Sequence, residues 1–468
     1  MNKLIPILCT LAAALMVYLS QGTHDVWWQA WFAPLPILWL AYGPARTPVV
    51  AASAFIAFAA GQLYLVECYI GQMPLTLLIG WPLALGALFT IAILATRFAQ
   101  RHLPPFAGLF AFPVFWTATE YLMSLVSPHG TFGSIAYSQV SFPPALQIAS
   151  LLGLYAITFM LSLFANALAL LIRGSRGPAA LGIALAAASL VFGFVRLSEP
   201  QAAPIRVAAL SDQQAARASR RKDTAAASEA MAQEYATAAR AAAAKGARMI
   251  VTPETGIAQT PDWAATVNAP LSASAKASDV TLVIGTLGKA PLRNVAMSYS
   301  PDGQIHQYDK RHLLRPFEDV FKPGPGAGLL GHGRAVAICK DMDFPATLRA
   351  DALAAEASTA SGSIRIMAVP ANDFVADGWI HARMAVLRGV ENGFAILRAA
   401  TQGLETISDA QGRIIARADT DAPGLTEIIG DVAPGPGPTL YTRIGDVFPW
   451  LMLLASVALL GFSLRRRP

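Results

Sequence analysis

The stretch that decides the fold is residues 333–345, which read GRAVAICKDMDFP. Small and apolar residues lead up to Cys339, and this pattern predicts a buried strand that ends at the cysteine. Two carboxylates, Asp341 and Asp343, follow at once. Burying charged groups is costly unless they are paired or have a function. The cluster therefore indicates a catalytic or binding site at the end of a strand.

Two further polar residues stand directly after apolar, strand-like segments. Glu254 lies in MIVTPETG, and Lys310 lies in YDKRHLL. A cysteine attacks as the thiolate, so it needs a base and a neighbouring cation. In this interpretation Glu254 is the base. Lys310 lowers the thiol pKa and stabilises an oxyanion together with the backbone N–H after Cys339. Each residue alone has a plain structural explanation, but the three together predict nucleophilic catalysis.

The composition indicates that part of the chain lies in a membrane. Of 468 residues, 54% are hydrophobic and 14% are charged, whereas soluble domains carry about 25% charge. Cys9 and Cys68 fall in apolar segments, so no disulfide framework is expected. The net charge of +6 does not indicate a nucleic-acid partner, because the arginines concentrate at the ends of apolar segments. The histidines show no metal-ligand spacing, and no phosphate loop or dinucleotide fingerprint is present, so no metal or cofactor is expected.

Apolar runs of the length that crosses a bilayer, about 17–25 residues, recur along the chain. They lie at about 3–20, 27–43, 49–68, 75–96, 106–125, 145–172, 179–198 and 445–464. The first run lacks a clear cleavage site and is followed at once by another, so it is interpreted as a helix rather than as a signal peptide.

The distribution of positive charge predicts the orientation of these helices. If the helices alternate, the positive residues beside them fall on one side of the membrane; they are Lys3, Arg46, Arg97, Arg101, Arg173, Arg176 and Arg465 to Arg467. The opposite loops, near 21–26, 69–74 and 126–142, contain no Lys or Arg. Positive residues favour the cytoplasmic side. Both termini are therefore expected in the cytoplasm, and the polar segment before the last helix is expected in the periplasm of a bacterial cell.

Residues 204–436 differ from the apolar runs in their amino-acid pattern. Strings such as IRVAAL, RMIVTPE and IRIMAVP alternate with alanine-rich stretches, and the run at 212–246 predicts a helix that stops at a glycine. This alternation predicts an α/β sheet with buried strands. The predicted domains are a seven-helix membrane domain at 1–199, a catalytic domain at 204–436, and a linker with the last helix at 437–468.

The motifs resemble two related families. The Glu, Lys and Cys segments resemble the nitrilase superfamily of carbon–nitrogen hydrolases, and this likeness covers the whole catalytic segment. The complete chain resembles the apolipoprotein N-acyltransferase family, through WTATEYLMS, FGSIAYSQ and LQIASLLGLYAITFM in the membrane part, the segment at 372–403, and TLYTRIGDVFPWL before the last helix. The resemblance implies a polytopic helical membrane domain joined to a periplasmic αββα sandwich. It also implies an enzyme of the bacterial inner membrane.

The resemblance also implies roles for residues and substrates. Glu254 corresponds to the general base, Lys310 to the oxyanion stabiliser and Cys339 to the nucleophile. Glu318, in LLRPFEDVF, corresponds to a second glutamate near the lysine, and Asp341 to an acidic position after the nucleophile. The plainer alternatives are a loop carboxylate for Glu318 and a turn residue for Asp341. The implied reaction moves an acyl group from a phospholipid, through a cysteine thioester, to the N-terminal amine of a diacylated apolipoprotein.

The chain departs from the acyltransferase pattern at three places. Thr252 stands where the family usually has tryptophan, and Lys340 follows the nucleophile in place of tyrosine. Residues 130–132 read Gly-Thr-Phe instead of Phe-Pro-Trp. The string CKDMDFP is more similar to soluble nitrilases and amidases. Two alternatives therefore stay open: a membrane-tethered amidase that uses water as acceptor, and an inactive scaffold, which the intact triad opposes.

A few residues outside the triad are possible substrate-binding residues. An ionisable group inside a membrane helix usually marks a functional site, so Glu120 is a candidate, with a hydrogen bond to neighbouring helices as the alternative. Glu67 is expected at the outer interface. Phe374 and Trp379, with Phe321, lie in loops beside the catalytic strands, where they form either an apolar lid for an acyl chain or ordinary core packing.

Overall fold

The computed structural model describes residues 4–222, 224–358, 361–374 and 376–466. These residues form two compact units. The first comprises Met1–Glu199 and Ile444–Pro468, and the second comprises Pro200–Arg443.

The first unit is helical. Before the second unit begins, its helices are α1 Leu4–Ser20, α2 Leu35–Ala41, α3 Thr47–Gly61, α4 Tyr64–Tyr69, α5 Leu75–His102, α6 Pro105–Leu109, α7 Ala111–Val126, α8 Pro143–Leu146, α9 Ala149–Leu152, α10 Leu154–Ile172 and α11 Arg176–Leu197. Two 3₁₀ helices, Trp27–Trp31 and Ile135–Ser141, lie between them. The C-terminal helix Val447–Arg465 completes the unit.

Six helical stretches among the described residues are long and apolar enough to cross a membrane. They are Thr47–Tyr69, Leu75–His102, Pro105–Val126, Leu154–Ile172, Arg176–Leu197 and Val447–Arg465. The apolar helix α1 is shorter, with 17 residues. Large apolar side chains point outward from this unit; on the C-terminal helix, for example, Leu454 and Val457 are 66% and 72% exposed. Such a surface is stable in lipid rather than in water, and the protein is a membrane protein.

Two predicted spans differ from the observed helices. Residues 27–43 form a 3₁₀ helix and the seven-residue helix α2, not one continuous helix. Pro34 and Pro36 interrupt this stretch because proline lacks the N–H that continues a helix. The predicted span at 145–172 is divided at Gly153, whose φ of 76° ends α9 before α10 begins.

Positive side chains gather at one end of the helical unit. The Arg97 guanidinium donates hydrogen bonds to the carbonyl oxygens of Ala41 and Ala45. Arg173 donates to the carbonyl oxygen of Trp39 over 2.6 Å, and its guanidinium lies 4.5 Å from the centre of that indole ring. Two arginines from distant predicted loops therefore meet at the segment 39–45, as expected if both lie on one side of the membrane.

Among its described residues, the second unit contains thirteen strands. They are β1 Ile205–Ser211, β2 Met249–Val251, β3 Ile257–Gln259, β4 Thr281–Lys289, β5 Leu292–Tyr299, β6 Ile305–Asp309, β7 Leu329–Gly331, β8 Arg334–Val336, β9 Ile366–Ala371, β10 Ala395–Ala400, β11 Leu404–Ser408, β12 Ile414–Asp419 and β13 Thr426–Val432. The accompanying helices are α12 Gln213–Lys222, α13 Ala225–Ala244, α14 Ala264–Ser278, α15 Pro345–Ala357, α16 Gly378–Asn392 and α17 Leu440–Ile444.

These strands form two sheets that pack face to face. One sheet has the order β13-β1-β2-β4-β5-β6, with β3 beside β4, and the other has the order β12-β11-β10-β9-β8-β7. Apolar residues from both sheets share one core, including Val207 and Val283 from the first and Val336 and Leu397 from the second. Helices α13 and α14 pack on the outer face of the first sheet. Helices α15 and α16 pack on the outer face of the second. The αββα sandwich implied by the family resemblance is confirmed.

The alanine-rich run at 212–246 forms two helices, α12 and α13. Thr224 caps the second, because its hydroxyl accepts a hydrogen bond from the Ala227 backbone N–H over 3.2 Å. The predicted glycine stop is observed at Gly246, whose φ is 97°.

Candidate active site

The site forms where three strands of the sandwich end. Glu254 comes shortly after β2, and Lys310 comes directly after β6 in the same sheet. Cys339 comes shortly after β8 in the facing sheet. Because the two sheets pack against each other, the ends of these strands bring one carboxylate, one ammonium and one thiol together.

Lys310 lies between two carboxylates. Its Nζ donates hydrogen bonds to Glu254 Oε1 over 2.7 Å, to Glu318 Oε2 over 2.8 Å and to Glu318 Oε1 over 3.0 Å. Lys310 is 2% exposed and Glu254 is 4% exposed. Charges that are this deeply buried are stable only when they are paired and hydrogen-bonded. The structure therefore brings together three of the residues that the sequence predicted: Glu254, Lys310 and Glu318.

Asn294 is part of this network, although the sequence analysis did not identify it. Its Nδ2 donates hydrogen bonds to Glu254 Oε1 and, over 2.8 Å, to Glu318 Oε1. Asn294 lies within β5 and is 1% exposed. An amide in a buried strand was the available signal, since buried polar side chains need partners. Asn294 and Lys310 together hold the two carboxylates in place.

Glu318 is fixed by the backbone as well as by the network. Its Oε2 accepts a hydrogen bond from the Leu314 backbone N–H over 2.6 Å. This bond closes the short loop between Leu314 and Glu318, which follows Lys310 in the chain. The Glu318 carboxylate therefore lies in the buried network beside Lys310 rather than in solvent, and its role in the reaction stays a prediction.

Close packing fixes the backbone at Glu254. Gly285 on β4 lies so close that a Cβ atom there would approach the carbonyl oxygen of Pro253 to 1.9 Å, so only glycine fits. The Glu254 backbone N–H donates to the Ala371 carbonyl over 3.2 Å, and its own carbonyl accepts from the Thr401 hydroxyl over 3.2 Å. The carboxylate is therefore held on rigid elements.

Cys339 adopts a strained backbone conformation. Its φ is 41°, in the left-handed region that residues with a side chain rarely enter. It begins the 3₁₀ helix Cys339–Asp343 at the point where the strand segment ends. Strain of this kind costs about 1–3 kcal/mol and is found mainly where function requires it. The conformation places the thiol at a sharp junction, where its residue is only partly buried.

The surroundings of Cys339 favour the protonated thiol. Burial raises the thiol pKa well above its ordinary value, and the Glu254 carboxylate raises it further, while the Lys310 ammonium lowers it. The expectation that Lys310 lowers the pKa is right for its own contribution, but burial outweighs that contribution. The resting cysteine therefore needs a base before it can attack.

The pKa shifts of Glu254 and Lys310 are consistent with a base and a cation beside the thiol. Burial raises the pKa of Glu254, although the Lys310 ammonium opposes the effect. For Lys310, burial favours the neutral amine, but the charges of Glu254, Cys339 and Glu318 outweigh it and raise the lysine pKa. Lys310 is therefore a permanent cation, and Glu254 is a carboxylate of increased proton affinity beside a thiol.

Asp341 organises the loop that carries Cys339. Its carboxylate accepts hydrogen bonds from the Tyr308 hydroxyl over 2.6 Å, from the His312 backbone N–H over 2.9 Å and from the Ile338 backbone N–H over 3.0 Å. His312 Nδ1 lies 2.9 Å from the same carboxylate. Although burial opposes it, this hydrogen bonding lowers the pKa of Asp341. Asp341 therefore joins the cysteine loop to the chain around Lys310, which is more than a local turn role.

A second ion pair acts on the cysteine from neighbouring strands of the same sheet. Arg398 on β10 donates a hydrogen bond to Asp373, and both residues are almost fully buried. Their charges have opposite effects on the Cys339 thiol, because Asp373 raises its pKa and Arg398 lowers it. No short motif predicts this pair; its signal in the sequence is the charged Arg398 inside the apolar string FAILRAA.

The two predicted lid aromatics make contacts of their own. The Phe374 ring lies 5.6 Å from the Phe317 ring in an edge-to-face arrangement. Trp379 lies in the first turn of α16 and not in a loop as predicted. Two guanidinium groups are near its ring, that of Arg383 at 5.6 Å and that of Arg417 at 5.3 Å. A role for either residue in substrate binding stays a prediction. No cluster of His, Cys, Asp and Glu suited to a metal ion occurs within the described ranges.

Two family models match this chain. The N-terminal domain of apolipoprotein N-acyltransferase matches residues 13–168, and the carbon–nitrogen hydrolase domain matches residues 206–433. A membrane domain of the first kind followed by a hydrolase-type domain is specific in combination. The chain belongs to the apolipoprotein N-acyltransferase family.

Similar proteins extend this result over most of the chain. An apolipoprotein N-acyltransferase of Geobacter metallireducens is 26% identical, and the match covers 96% of this chain and 92% of the relative. An apolipoprotein N-acyltransferase of Rhizobium meliloti is 27% identical, and the match covers 87% of this chain and 83% of the relative. Among solved structures, an amidase from Nesterenkonia is 20% identical with a TM-score of 0.40, covering 52% of this chain and 94% of that one. The family membership and the hydrolase-type domain make this protein an acyltransferase enzyme.

Proposed function

We propose that the protein transfers a fatty acyl group from a membrane phospholipid to the N-terminal amine of a diacylated apolipoprotein. Cys339 is the nucleophile, Glu254 is the general base and Lys310 stabilises the oxyanion. The observation that carries this assignment is the buried network in which Lys310 Nζ bonds to Glu254 over 2.7 Å, with both groups close enough to Cys339 to change its pKa.

The first half-reaction forms a thioester. Glu254 accepts the Cys339 proton as the sulfur attacks the ester carbonyl carbon of the phospholipid. Lys310 Nζ stabilises the negative charge that develops on the carbonyl oxygen. When the intermediate collapses, the carbon–oxygen bond breaks, and the lysophospholipid leaves with the proton that Glu254 returns. The acyl group stays on the sulfur of Cys339.

The second half-reaction consumes the thioester. The amine of the acceptor attacks the thioester carbon, and Glu254 takes a proton from the amine nitrogen. The new carbon–nitrogen bond forms as the carbon–sulfur bond breaks. The thiolate leaves and recovers a proton from Glu254, which restores the resting enzyme. Because water is a competing acceptor, the site must favour the amine over water in this step.

The proposed location is the inner membrane of a bacterium, with the catalytic unit in the periplasm. The support is the positive charge near the helix ends, together with the meeting of Arg97 and Arg173 at the segment 39–45. An acceptor anchored in the outer leaflet by its lipid chains would then lie on the same side as the catalytic residues.

A membrane-tethered amidase is the second candidate, and the string CKDMDFP around the nucleophile favours it. The two candidates differ in their acceptor. We expect purified protein to transfer a labelled acyl chain from phospholipid to a synthetic diacylated lipopeptide, and Cys339→Ala to transfer none. Labelled free fatty acid as the main product, whether or not the lipopeptide is present, would favour the amidase.

A further inference from the structure

A carboxylate that the proposed mechanism does not use lies at the same edge of the sandwich as the triad. Asp373 comes two residues after β9, and its backbone N–H donates to the Gln402 carbonyl over 3.1 Å. The last residue of β9, Ala371, accepts the hydrogen bond of the Glu254 backbone N–H. Asp373 is therefore only two residues from the chain position that contacts Glu254.

The charge of Asp373 reaches the Cys339 thiol. The Asp373 carboxylate raises the thiol pKa, as the Glu254 carboxylate does, so both groups lie near the sulfur. Glu254 follows a strand of the first sheet, whereas Asp373 follows a strand of the second. The thiol therefore has one carboxylate from each sheet near it, and only Glu254 has an assigned role.

The two oxygens of Asp373 differ in their contacts. Oδ1 accepts a hydrogen bond from Arg398 Nη2. Another nitrogen of that guanidinium, Nη1, donates to the Leu404 carbonyl over 2.6 Å, which fixes its orientation. Oδ2 has no hydrogen-bond partner among the residues that the structure describes, although Asp373 is only 6% exposed. Because a buried acceptor needs a donor, Oδ2 indicates a place for a donor that arrives with a substrate.

The chain leaves space beside this oxygen. Gly403 has a φ of 107°, and a Cβ atom on it would lie 2.4 Å from Asp373 Oδ2. Only glycine tolerates both this backbone conformation and this close approach. Gly403 therefore leaves Oδ2 without a side chain over it on that side, as a binding group requires.

The predicted substrate-binding residue Glu120 does not share this feature. It lies on α7 of the helical unit and is 8% exposed. Its carboxylate has hydrogen-bond partners in the side chains of Ser134 and Thr158 and in the backbone of Ile135. These contacts agree with the alternative of hydrogen bonds within the helical unit, and a role of Glu120 in substrate binding stays a prediction.

The second half-reaction is the step that brings a suitable donor to Asp373. The ester carbonyl of a phospholipid carries no N–H group, whereas a primary amine carries two. When the amine nitrogen attacks the Cys339 thioester it becomes positively charged, and hydrogen bonds from charged donors are stronger than those from neutral ones. One of its protons passes to Glu254, and a second N–H stays on the nitrogen into the amide product.

We propose that Asp373 Oδ2 accepts a hydrogen bond from this second N–H, so that Asp373 is the group that recognises the amine acceptor. The inference rests on the proposed acyl transfer through Cys339. In this step the carbon–nitrogen bond forms, the carbon–sulfur bond breaks, and the proton taken by Glu254 returns to the sulfur. The N–H that is bonded to Oδ2 is not transferred. Water gains less from Oδ2, because it loses a proton to Glu254 as it attacks and develops less positive charge.

The test compares aminolysis with hydrolysis of the same thioester. Full-length wild type and Asp373→Asn are acylated with a labelled phospholipid, separated from excess donor and followed by intact-protein mass spectrometry. The Cys339 thioester decays either in plain buffer or with a diacylated lipopeptide whose N-terminus is free. The measured quantity is the ratio of the aminolysis rate to the hydrolysis rate. Because the same thiolate leaves in both reactions, a change in the Cys339 pKa largely cancels in this ratio.

Asp373→Asn retains Oδ1 for Arg398 and replaces Oδ2 with an NH₂ group, which cannot accept an N–H. We expect the ratio to fall about tenfold or more, while the Cys339 thioester still forms. Asp409→Asn is the matched control, because Asp409 is 1% exposed, follows β11 in the same sheet and pairs with Arg413. It should leave the ratio unchanged. If Asp373→Asn does not fold, Asp373→Glu, which keeps the charge but displaces both oxygens, should lower the ratio as well.

The outcomes separate this inference from the proposed function. An unchanged ratio in Asp373→Asn, including equal decreases in aminolysis and hydrolysis, would overturn the inference and leave acyl transfer through Cys339 intact. A wild type that forms no thioester, or whose thioester is consumed by water alone, would instead contradict the proposed function and this inference with it.

Discussion

The surroundings of the Cys339 thiol favour its protonated form, which gives Glu254 a specific task. Burial and the Glu254 carboxylate raise the thiol pKa, while Lys310 opposes them. In the proposed mechanism, the negative charge that removes the proton therefore also suppresses the thiolate at rest. This reciprocal arrangement protects the nucleophile from nonspecific reactions until a substrate enters.

Glu254→Gln separates these two effects. Removing the carboxylate charge lowers the Cys339 pKa, so alkylation by iodoacetamide at pH 7 should be several-fold faster than in the wild type. Acyl transfer should instead fall by about 10²-fold or more, because the general base is lost. Alkylation is measured by mass spectrometry of the Cys339 peptide, with Cys339→Ala as the blank. A parallel decrease in both rates would contradict the proposed role of Glu254.

Asn294→Leu tests the amide that holds the two carboxylates. The Asn294 side chain lowers the pKa of Glu254, so its removal should raise that pKa further. Because Glu254 must be ionised to act as base, the acid limb of kcat/KM should move to higher pH, and the rate at neutral pH should fall about tenfold or more. Gln307→Leu, on the neighbouring strand β6, is the control. A lower rate with an unchanged pH profile would indicate a purely structural role.

At the residue scale, the sequence predicts the triad but not its supporting partners. Glu254, Lys310 and Cys339 each follow an apolar strand in a motif, so their chemistry can be recognised from local context. Asn294 and Arg398 lie inside strands, where only the register and the facing sheet decide which group they meet. Their roles depend on tertiary contacts between distant parts of the chain, and short motifs do not carry that information.

At the scale of elements, the loop from Cys339 to Asp343 depends on Asp341. This carboxylate accepts hydrogen bonds from Tyr308, from the backbone N–H of His312 and from Ile338, and thereby connects the cysteine loop to the chain after β6. The 3₁₀ turn that contains Cys339 is thus supported by the hydrogen bonds of the Asp341 carboxylate.

Asp341→Asn should therefore destabilise the catalytic unit. An amide replaces one acceptor oxygen with a donor, which leaves a buried N–H facing another donor and costs about 2–3 kcal/mol. The thermal midpoint of the purified protein should fall by about 5 °C or more. Asp419→Asn, on an exposed position of β12, should leave it within about 1 °C. An unchanged midpoint in Asp341→Asn would show that Asp341 does not support the loop.

The sequence predicts some secondary-structure elements correctly and others wrongly, and the difference has physical causes. The alternation of strands and helices in the second unit is confirmed because buried strands and alanine-rich helices have strong local signals. Hydropathy predicts one span at 27–43 because it does not register the interruption by Pro34 and Pro36. Periodicity does not predict how the strands pair into two sheets, because this pairing depends on long-range contacts. The two-sheet prediction rests on the family resemblance.

At the scale of the whole molecule, the orientation in the membrane is a separate prediction. The positive residues near the helix ends predict that residues 204–436 lie outside the cytoplasm. Alkaline phosphatase, which is active only after export, should be active when fused near Gln201 and inactive when fused near Gly174. Both fusions should be checked for equal expression. The reverse pattern would contradict the orientation and, with it, a lipoprotein acceptor in the outer leaflet.

The central claim is that Cys339 carries an acyl group between a phospholipid and an amine. Intact-protein mass spectrometry after incubation with phospholipid alone tests it most directly. The wild type should gain one acyl mass, located on the Cys339 peptide, and a diacylated lipopeptide with a free amine should remove it much faster than buffer does. An adduct on another residue, or none under conditions in which the wild type transfers acyl chains, would contradict the account. Equal loss in plain buffer would show that water is the acceptor.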